Sequence, residues 1–385
     1  MSIVHRFANW LETHWVIPAY NGWVLAAFSI CFLASAINTM AGWLYVISGI
    51  SFALLGIAAL LPVRSLRGIR VQRRPIDPVS SGDRLTIELE IQNQSKDPKT
   101  LLQFQDMIPF VLGQPVQGTI ETIAPQETYR WIYDQPTQQR GVYRWYTMQL
   151  RTATPLGLFW CRRHRHAPAT AIVYPTVLPL IASPLVDEMG QEDSPEFHSR
   201  DRRSHAANEN VTRSLRPYRW GDPIRLVHWR TSARYGQLRV RELEVFTGGQ
   251  EVVICLDSAR IWQQQDFEQA VIAAASLYFY AARRQLNTRL WTADSGLLQG
   301  HRVVLEALAS VNPGEEPSKS GPPNLPLIWL TQNPLSINTL PAGSRWVLWP
   351  SASPTEQKNL LTREHPGILI NPEQPLHSQL QSPLR

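Results

Sequence analysis

From Trp15 to Val63 the chain contains no Asp, Glu, Lys, Arg or His. One helix needs roughly 20 apolar residues to cross a bilayer, so the stretch has room for two. Spans are expected over about 23–39 and 43–61, separated by the short "TMAG" turn, with Trp15, Trp23 and Trp43 suited to the interfacial belt. The small-residue pattern "ASA" at 34–36, with Arg6 upstream, also fits a cleaved leader, but the second stretch anchors the chain on either reading. Five arginines follow at once, Arg64, Arg67, Arg70, Arg73 and Arg74. By the positive-inside rule they place everything after residue 64 in the cytoplasm, and they can also hold anionic lipid headgroups.

The net charge of +6 and pI near 9.4 invite a nucleic-acid reading, but the charge is segregated. Residues 64–74 carry five arginines and no acid, and residues 196–241 carry eleven arginines against four acids. The first patch is explained by the membrane, so no nucleic-acid partner is expected. Cys31, Cys161 and Cys255 stand far apart without a CxxC pair, which points to a reducing compartment.

Beyond the basic segment (64–74), residues 75–175 alternate as half-buried strands do, in "LTIELEIQN", "TYRWIYDQ" and "GVYRWYTMQLRT", and predict a β-sandwich. Residues 176–214 are expected to be a linker and 215–247 form an arginine-rich segment. From 248 to 371 strand-like and helix-like stretches alternate. "QEVVICLD" is a continuous apolar run of the buried parallel kind, followed by the helical "DFEQAVIAAASLYFYAARRQL". The expected fold class is therefore two transmembrane helices, a β-sandwich and a doubly wound α/β domain, with residues 372–385 a disordered tail.

Ligands of doubly wound sheets bind at the C-terminal strand ends. The first such strand ends in "LDSAR", so that Asp257 and Ser258 occupy the position where von Willebrand factor A domains place a metal-binding Asp-x-Ser-x-Ser. The two serine positions fall on Ala259 and Ile261, and a weakened Mg²⁺ site would have to draw on Asp257, Ser258 and Asp294 or Thr331. The bland alternative is that Asp257 caps the following turn. "CRRHRH" (161–166) offers a thiol and two imidazoles, but the interleaved arginines repel a cation, and an exposed strand end is the better reading. No Gly-rich phosphate loop, HExxH or GxSxG occurs, so the sequence points away from an enzyme and assigns no catalytic residue and no cofactor.

The most specific feature is the spacing Arg216, Tyr218, Gly221-Asp222, Arg225, His228-Trp229, Ser232-Ala233-Arg234, Leu238, Val240, Glu244. "WGDP" is turn chemistry, and arginines laid over aromatic rings and paired to carboxylates stiffen irregular backbone. The segment is read as a structural clamp with a recognition edge, centred on Asp222, Arg225, Trp229 and Arg234. This spacing resembles the signature of the bacterial family called domain of unknown function 58, and "QRGVYRWYTMQLRTATPLGLFWCRR" is similar to that family's upstream segment.

The resemblance implies a membrane protein of the bacterial cytoplasmic membrane whose last domain is von Willebrand A-like. It implies a MoxR-type AAA+ ATPase as partner, in some cases beside a transglutaminase-like membrane protein, and it supplies no active site. The expected function is a non-enzymatic membrane-anchored adaptor. A metal-dependent binding protein or hydrolase built on Asp257, Ser258 and Asp294 is the alternative, and nucleic-acid binding ranks third.

Overall fold

The computed structural model describes residues 10–189, 212–217, 227, 229, 232, 238–243, 251–317, 321–350 and 365–384. They fall into two compact units, Met1–Thr176 and Val177–Arg385.

The first unit begins with the apolar stretch, folded as α1 (Tyr20–Thr39) and α2 (Gly42–Ser65). Met40, at φ 56°, ends α1 in the left-handed region, and α2 starts two residues later. Gly22, Ser29 and Ala36 are the buried residues of α1, seven apart and all small, which lets helices approach closely. The Ser29 hydroxyl donates to the Leu25 carbonyl of its own helix, so its burial leaves no polar atom unpaired. Large apolar groups face outward instead, among them Trp23, Phe28, Ile30 and Leu60. Both helices are long and apolar enough to cross a membrane.

Nine strands, one just before α1 and eight after α2, form two sheets. One runs β1 (Ile17–Pro18), β9 (Phe159–Tyr174), β8 (Gly141–Thr152), β5 (Lys99–Asp106), β6 (Val116–Ile123), with β3 (Val79–Ser80) also on β9. The other is β2 (Ile69–Arg73), β4 (Arg84–Asn93), β7 (Thr128–Pro136). Period-two patterning decides which face is buried. On β4 the residues Leu85, Ile87, Leu89 and Ile91 are fully enclosed while the intervening residues are not. Both sheets contribute to one core, where these four meet Leu102, Phe104, Met148 and Leu150.

Inside that core lies an ion pair. Arg73 Nη2 is 2.5 Å from Asp106 Oδ1, and both side chains are essentially solvent-free. Tyr133 donates its hydroxyl to Asp106 Oδ2 at 2.8 Å, and Trp145 donates Nε1 to Oδ1 at 3.1 Å. Four strands, β2 and β7 of one sheet and β5 and β8 of the other, therefore meet on one carboxylate. Burial raises Asp106 above the usual carboxylate range and lowers Arg73, despite their pairing. Arg73 was expected at the lipid surface and is instead enclosed here. Arg74 turns to Glu90 at 2.8 Å and Glu88 at 3.4 Å.

The second unit is built on a sheet of order β14 (Gly296–Leu298), β13 (Asn287–Thr292), β12 (Glu251–Leu256), β15 (Leu327–Thr331), β16 (Arg345–Leu348), β17 (Gly367–Leu369), parallel except for β14. Helix α4 (Gln264–Arg283) follows β12 and α5 (His301–Ser310) follows β14. The apolar run of β12 supplies two cores at once: Val252, Ile254 and Leu256 pack with Phe267, Val271 and Leu277 of α4, while Val253 and Cys255 pack with Trp291, Trp329 and Trp346. A strand buried on both faces has no polar alternation to show, as its sequence indicated.

Two expectations are corrected. The linker assigned to 176–214 begins too early, because Leu180, Leu185 and Val186 belong to the core of the second unit, and the Tyr280 hydroxyl donates to Asp187. The tail assigned to 372–385 is folded over its described residues, 372–384: helix Leu376–Leu380 buries Leu380 completely, and Gln379 bonds the carbonyls of Asn371 and Gln374. The start of the first segment, "VLPLIASPLVDEM", is apolar enough to pack, and in the polar second segment Leu380 suffices to seat it.

Removing the buried guanidinium should leave Asp106 uncompensated. Arg73→Met should lower unfolding stability by about 3–5 kcal/mol, and adding Asp106→Leu should recover a large part of the loss. Chemical denaturation of the full chain in detergent checks both.

Candidate functional site

The C-terminal strand ends of the second unit bring together part of the predicted metal set. Asp257 and Ser258 follow β12, at the point where the sheet continues one way to β13 and the other to β15. Asp257 is nearly enclosed. Its Oδ2 accepts from the Thr331 hydroxyl at 2.9 Å, its N–H donates to the Leu330 carbonyl, and its carbonyl accepts from Trp262 Nε1 at 2.7 Å. Ser258 Oγ accepts from the Ala293 N–H at 3.0 Å, and the Ser258 carbonyl receives the N–H groups of Gly314 and Glu315.

Asp294 is exposed and does not join them, and Ile261 is 92% exposed. Among the described residues no group of three His, Cys, Asp or Glu side chains could hold a metal. One carboxylate with the hydroxyls of Ser258 and Thr331 falls short of an octahedral oxygen set, so a hard cation here would keep several waters or take oxygens from a partner. Beside these residues lies an open recess lined by Ala259, Arg260, Ile261, Gln332, Asn333 and Pro334. Burial raises the Asp257 carboxyl above its ordinary value, against the Thr331 hydrogen bond and the charge of Arg260.

The arginine-rich segment is described in part. Arg216 lies on β10 (Thr212–Pro217), opposite Val240 of the antiparallel β11 (Arg239–Leu243). Trp229 is 62% exposed and Ser232 is buried. Tyr218, Gly221, Asp222, Arg225, His228, Arg234 and Glu244 lie outside the described residues.

The first unit holds a constellation that sequence reasoning missed. The "LFWCRRHRH" stretch is the start of β9, and it is a socket for the helical pair. The Ala19 N–H donates to the Leu158 carbonyl at 2.8 Å, and Pro18 and Ile17 pair with Phe159 and Trp160. Gly22 packs on that same Leu158 carbonyl, with no room for a Cβ.

Arg163 donates to the carbonyls of Thr13, His14 and Trp15, at the end of the helical turn over 10–14. Arg165 donates to the carbonyl of Leu66, the C-cap of α2, and to that of Ile69 at the start of β2. Helix C-termini leave carbonyls unpaired and carry partial negative charge, so both guanidiniums sit where such ends need a cation. The buried Glu12 completes the socket by pairing with Arg151 at 2.6 Å and Arg162 at 3.1 Å. Cys161 lies in the core while His164 and His166 are exposed and His166 stacks on Tyr146, so the three do not converge on a metal. The run of Arg162, Arg163 and Arg165 at the start of a strand was the available signal.

These features define a chain with two apolar helices latched to a β-sheet domain, followed by a mostly parallel α/β domain. Residues 214–308 match the family model described as "Protein of unknown function DUF58", so this segment, from β10 to α5, carries the domain of the family that the motif resembles. An uncharacterized protein of Bacillus subtilis (strain 168), YeaD, is 24% identical over 277 residues, spanning 70% of this chain and 66% of that protein. Similar solved structures include the CARDB domain of PF1109 from Pyrococcus furiosus (13% identity, TM-score 0.19, 26% of this chain and 94% of that one). Another is red sea bream transglutaminase (13% identity, TM-score 0.21, 28% of this chain and 15% of that one).

Two outcomes are expected. Gly22→Ala forces a methyl group against the Leu158 carbonyl and should destabilise the first unit by about 1–3 kcal/mol, read as a lowered melting temperature in detergent. Asp257→Asn should leave stability at pH 7 unchanged or raised. The folded carboxyl binds its proton above the unfolded value, so acidification through that range strengthens the wild type relative to the variant. Melts of both at pH 4.5 and pH 7.5 would expose the opposite sign.

Proposed function

We propose that this chain is a membrane-anchored scaffold of the bacterial cytoplasmic membrane. Its β and α/β domains lie on the cytoplasmic side, where a MoxR-type AAA+ ATPase engages them. The carrying observation is the latch of Arg163 and Arg165 on the ends of the helical segments, which makes the membrane hairpin and the β domain one mechanical piece. A rigid anchor suits a protein against which an ATPase pulls or remodels a client.

The exposed Arg64 and Arg67 at the end of α2, with exposed Arg70 on β2, support the cytoplasmic orientation and contact with anionic headgroups. Two largely antiparallel sheets sharing one core support the β-sandwich reading of the first unit. The parallel sheet with a single antiparallel edge strand supports a von Willebrand A-like second domain. There, Asp257, Ser258 and Thr331 bond one another's neighbourhood together instead of forming a reaction centre. The ATPase, and in some hosts a transglutaminase-like membrane protein, come from the family resemblance. The arginine-rich segment around Asp222 and Arg225 is the recognition edge.

A second reading, binding of a divalent cation at Asp257, Ser258 and Thr331, draws on their shared position at the strand ends. It requires that Mg²⁺ or Mn²⁺ raise the melting temperature, since a ligand of the native state stabilises it.

The test is affinity purification from the host in detergent, with ATP and without nucleotide, beside an Asp222→Ala/Arg225→Ala variant. An AAA+ ATPase should co-elute in a nucleotide-dependent way with the wild type and be reduced at least tenfold with the variant. A folded wild-type protein that retains no ATPase in either condition overturns the proposal.

A further inference from the structure

Where α2 leaves the apolar stretch, the first unit opens a recess of about 750 Å³. One side is apolar, formed by Ala59, Leu60 and Val63 of the last helical turns and by Val16. The other is cationic, formed by Arg64, Arg67 and Lys99, with Asp97 the one carboxylate in the lining. Trp15, 71% exposed, also lines the recess and is the kind of side chain that sits at the headgroup level.

Lys99 is the unusual member. It is only 5% exposed, at the start of β5, and it forms no ion pair among the described residues. Burial lowers its ammonium below the ordinary value, with Asp97 acting the other way. Arg64 and Arg67, by contrast, are exposed at the helix end. A lysine with no ion pair among the described residues, beside Arg64, Arg67 and an apolar wall, is complementary to a ligand with one negative charge and a hydrocarbon chain.

We infer that this recess holds one anionic phospholipid of the surrounding leaflet, its phosphodiester between Lys99, Arg64 and Arg67 and an acyl chain along Ala59, Leu60 and Val63. The inference rests on the reading of α1 and α2 as membrane-spanning. Val63 is the last residue of the uncharged stretch and Arg64 the first charge after it, so the recess straddles the boundary between hydrocarbon and headgroups. A zwitterionic lipid would bring a further cation among those already lining the recess. A free phosphate would leave the apolar wall without a partner. The lipid would also complete the socket, because Arg163, which holds the segment before α1, lines the same recess.

The experiment uses the full chain in mild detergent with dioleoylphosphatidylglycerol or dioleoylphosphatidylcholine, and native mass spectrometry counts lipids retained on the protein. The wild type should retain one phosphatidylglycerol per chain and no phosphatidylcholine. Lys99→Met and the surface variant Arg67→Gln should each reduce occupancy at least tenfold, and Arg144→Gln, exposed on β8 outside the recess, should not. Glycerophosphoglycerol, the headgroup without acyl chains, should fail to displace the lipid.

Equal retention of both lipids, displacement by the headgroup alone, or unchanged occupancy in Arg67→Gln and Lys99→Met would overturn the inference. Alkaline carbonate extraction of host membranes separates the two levels. A chain released without detergent overturns the membrane reading itself, whereas a chain that stays in the membrane but retains no phosphatidylglycerol overturns only the lipid site.

Discussion

Two guanidiniums hold the ends of two helical segments. Arg163 takes the carbonyls that close the turn before α1, and Arg165 takes the C-cap carbonyl of α2, both from one strand, β9. In a helix interior every carbonyl is paired, but at its end several are not, and at a membrane surface water and cations compete for them. Supplying the cation from a strand of the β domain converts a general need of helix ends into a specific attachment. The backbone pairing of Ile17 and Pro18 with Trp160 and Phe159, and the close seat of Gly22 on Leu158, then set the direction in which the hairpin leaves the domain.

The β domain can serve as a base because its two sheets are joined through Asp106. An isolated buried carboxylate would be protonated or would bring in water. Here Arg73, Tyr133 and Trp145 converge on it from three strands, so the sheets cannot slide relative to one another without unpairing a solvent-free charge. Such a group adds less to stability than well-packed hydrocarbon would, and its effect is on register and uniqueness. Two nitrogens of Arg73 remain without a partner, which is the cost of placing a guanidinium where only one face meets the carboxylate.

In the second unit the same economy appears at the strand ends. The residues that a metal site would use are placed side by side, yet Thr331 bonds Asp257 and the Ala293 N–H bonds Ser258, while Asp294 faces solvent. Three loops are tied to one another there, and the open recess beside them is walled by Ala259, Ile261 and Pro334 along with polar groups.

The helical pair, the strands of the β domain and the alternation of strand and helix after residue 250 follow from composition and period alone, because apolar character is a property of single side chains. The family resemblance could be read from the arginine-rich spacing for a related reason: that spacing lies within one short segment of the sequence. Sequence did not reveal the fate of charges that meet across the chain. Arg73 and Arg165 look alike among basic neighbours, and only the tertiary structure sends one into the core beside Asp106 and the other to a helix end. The tertiary structure likewise placed Leu185 and Leu380 in the core, from segments with too little regular periodicity to declare themselves. An arginine's partner is chosen by the long-range pairing of strands, and no local pattern encodes which carbonyls or carboxylates that pairing will bring within reach.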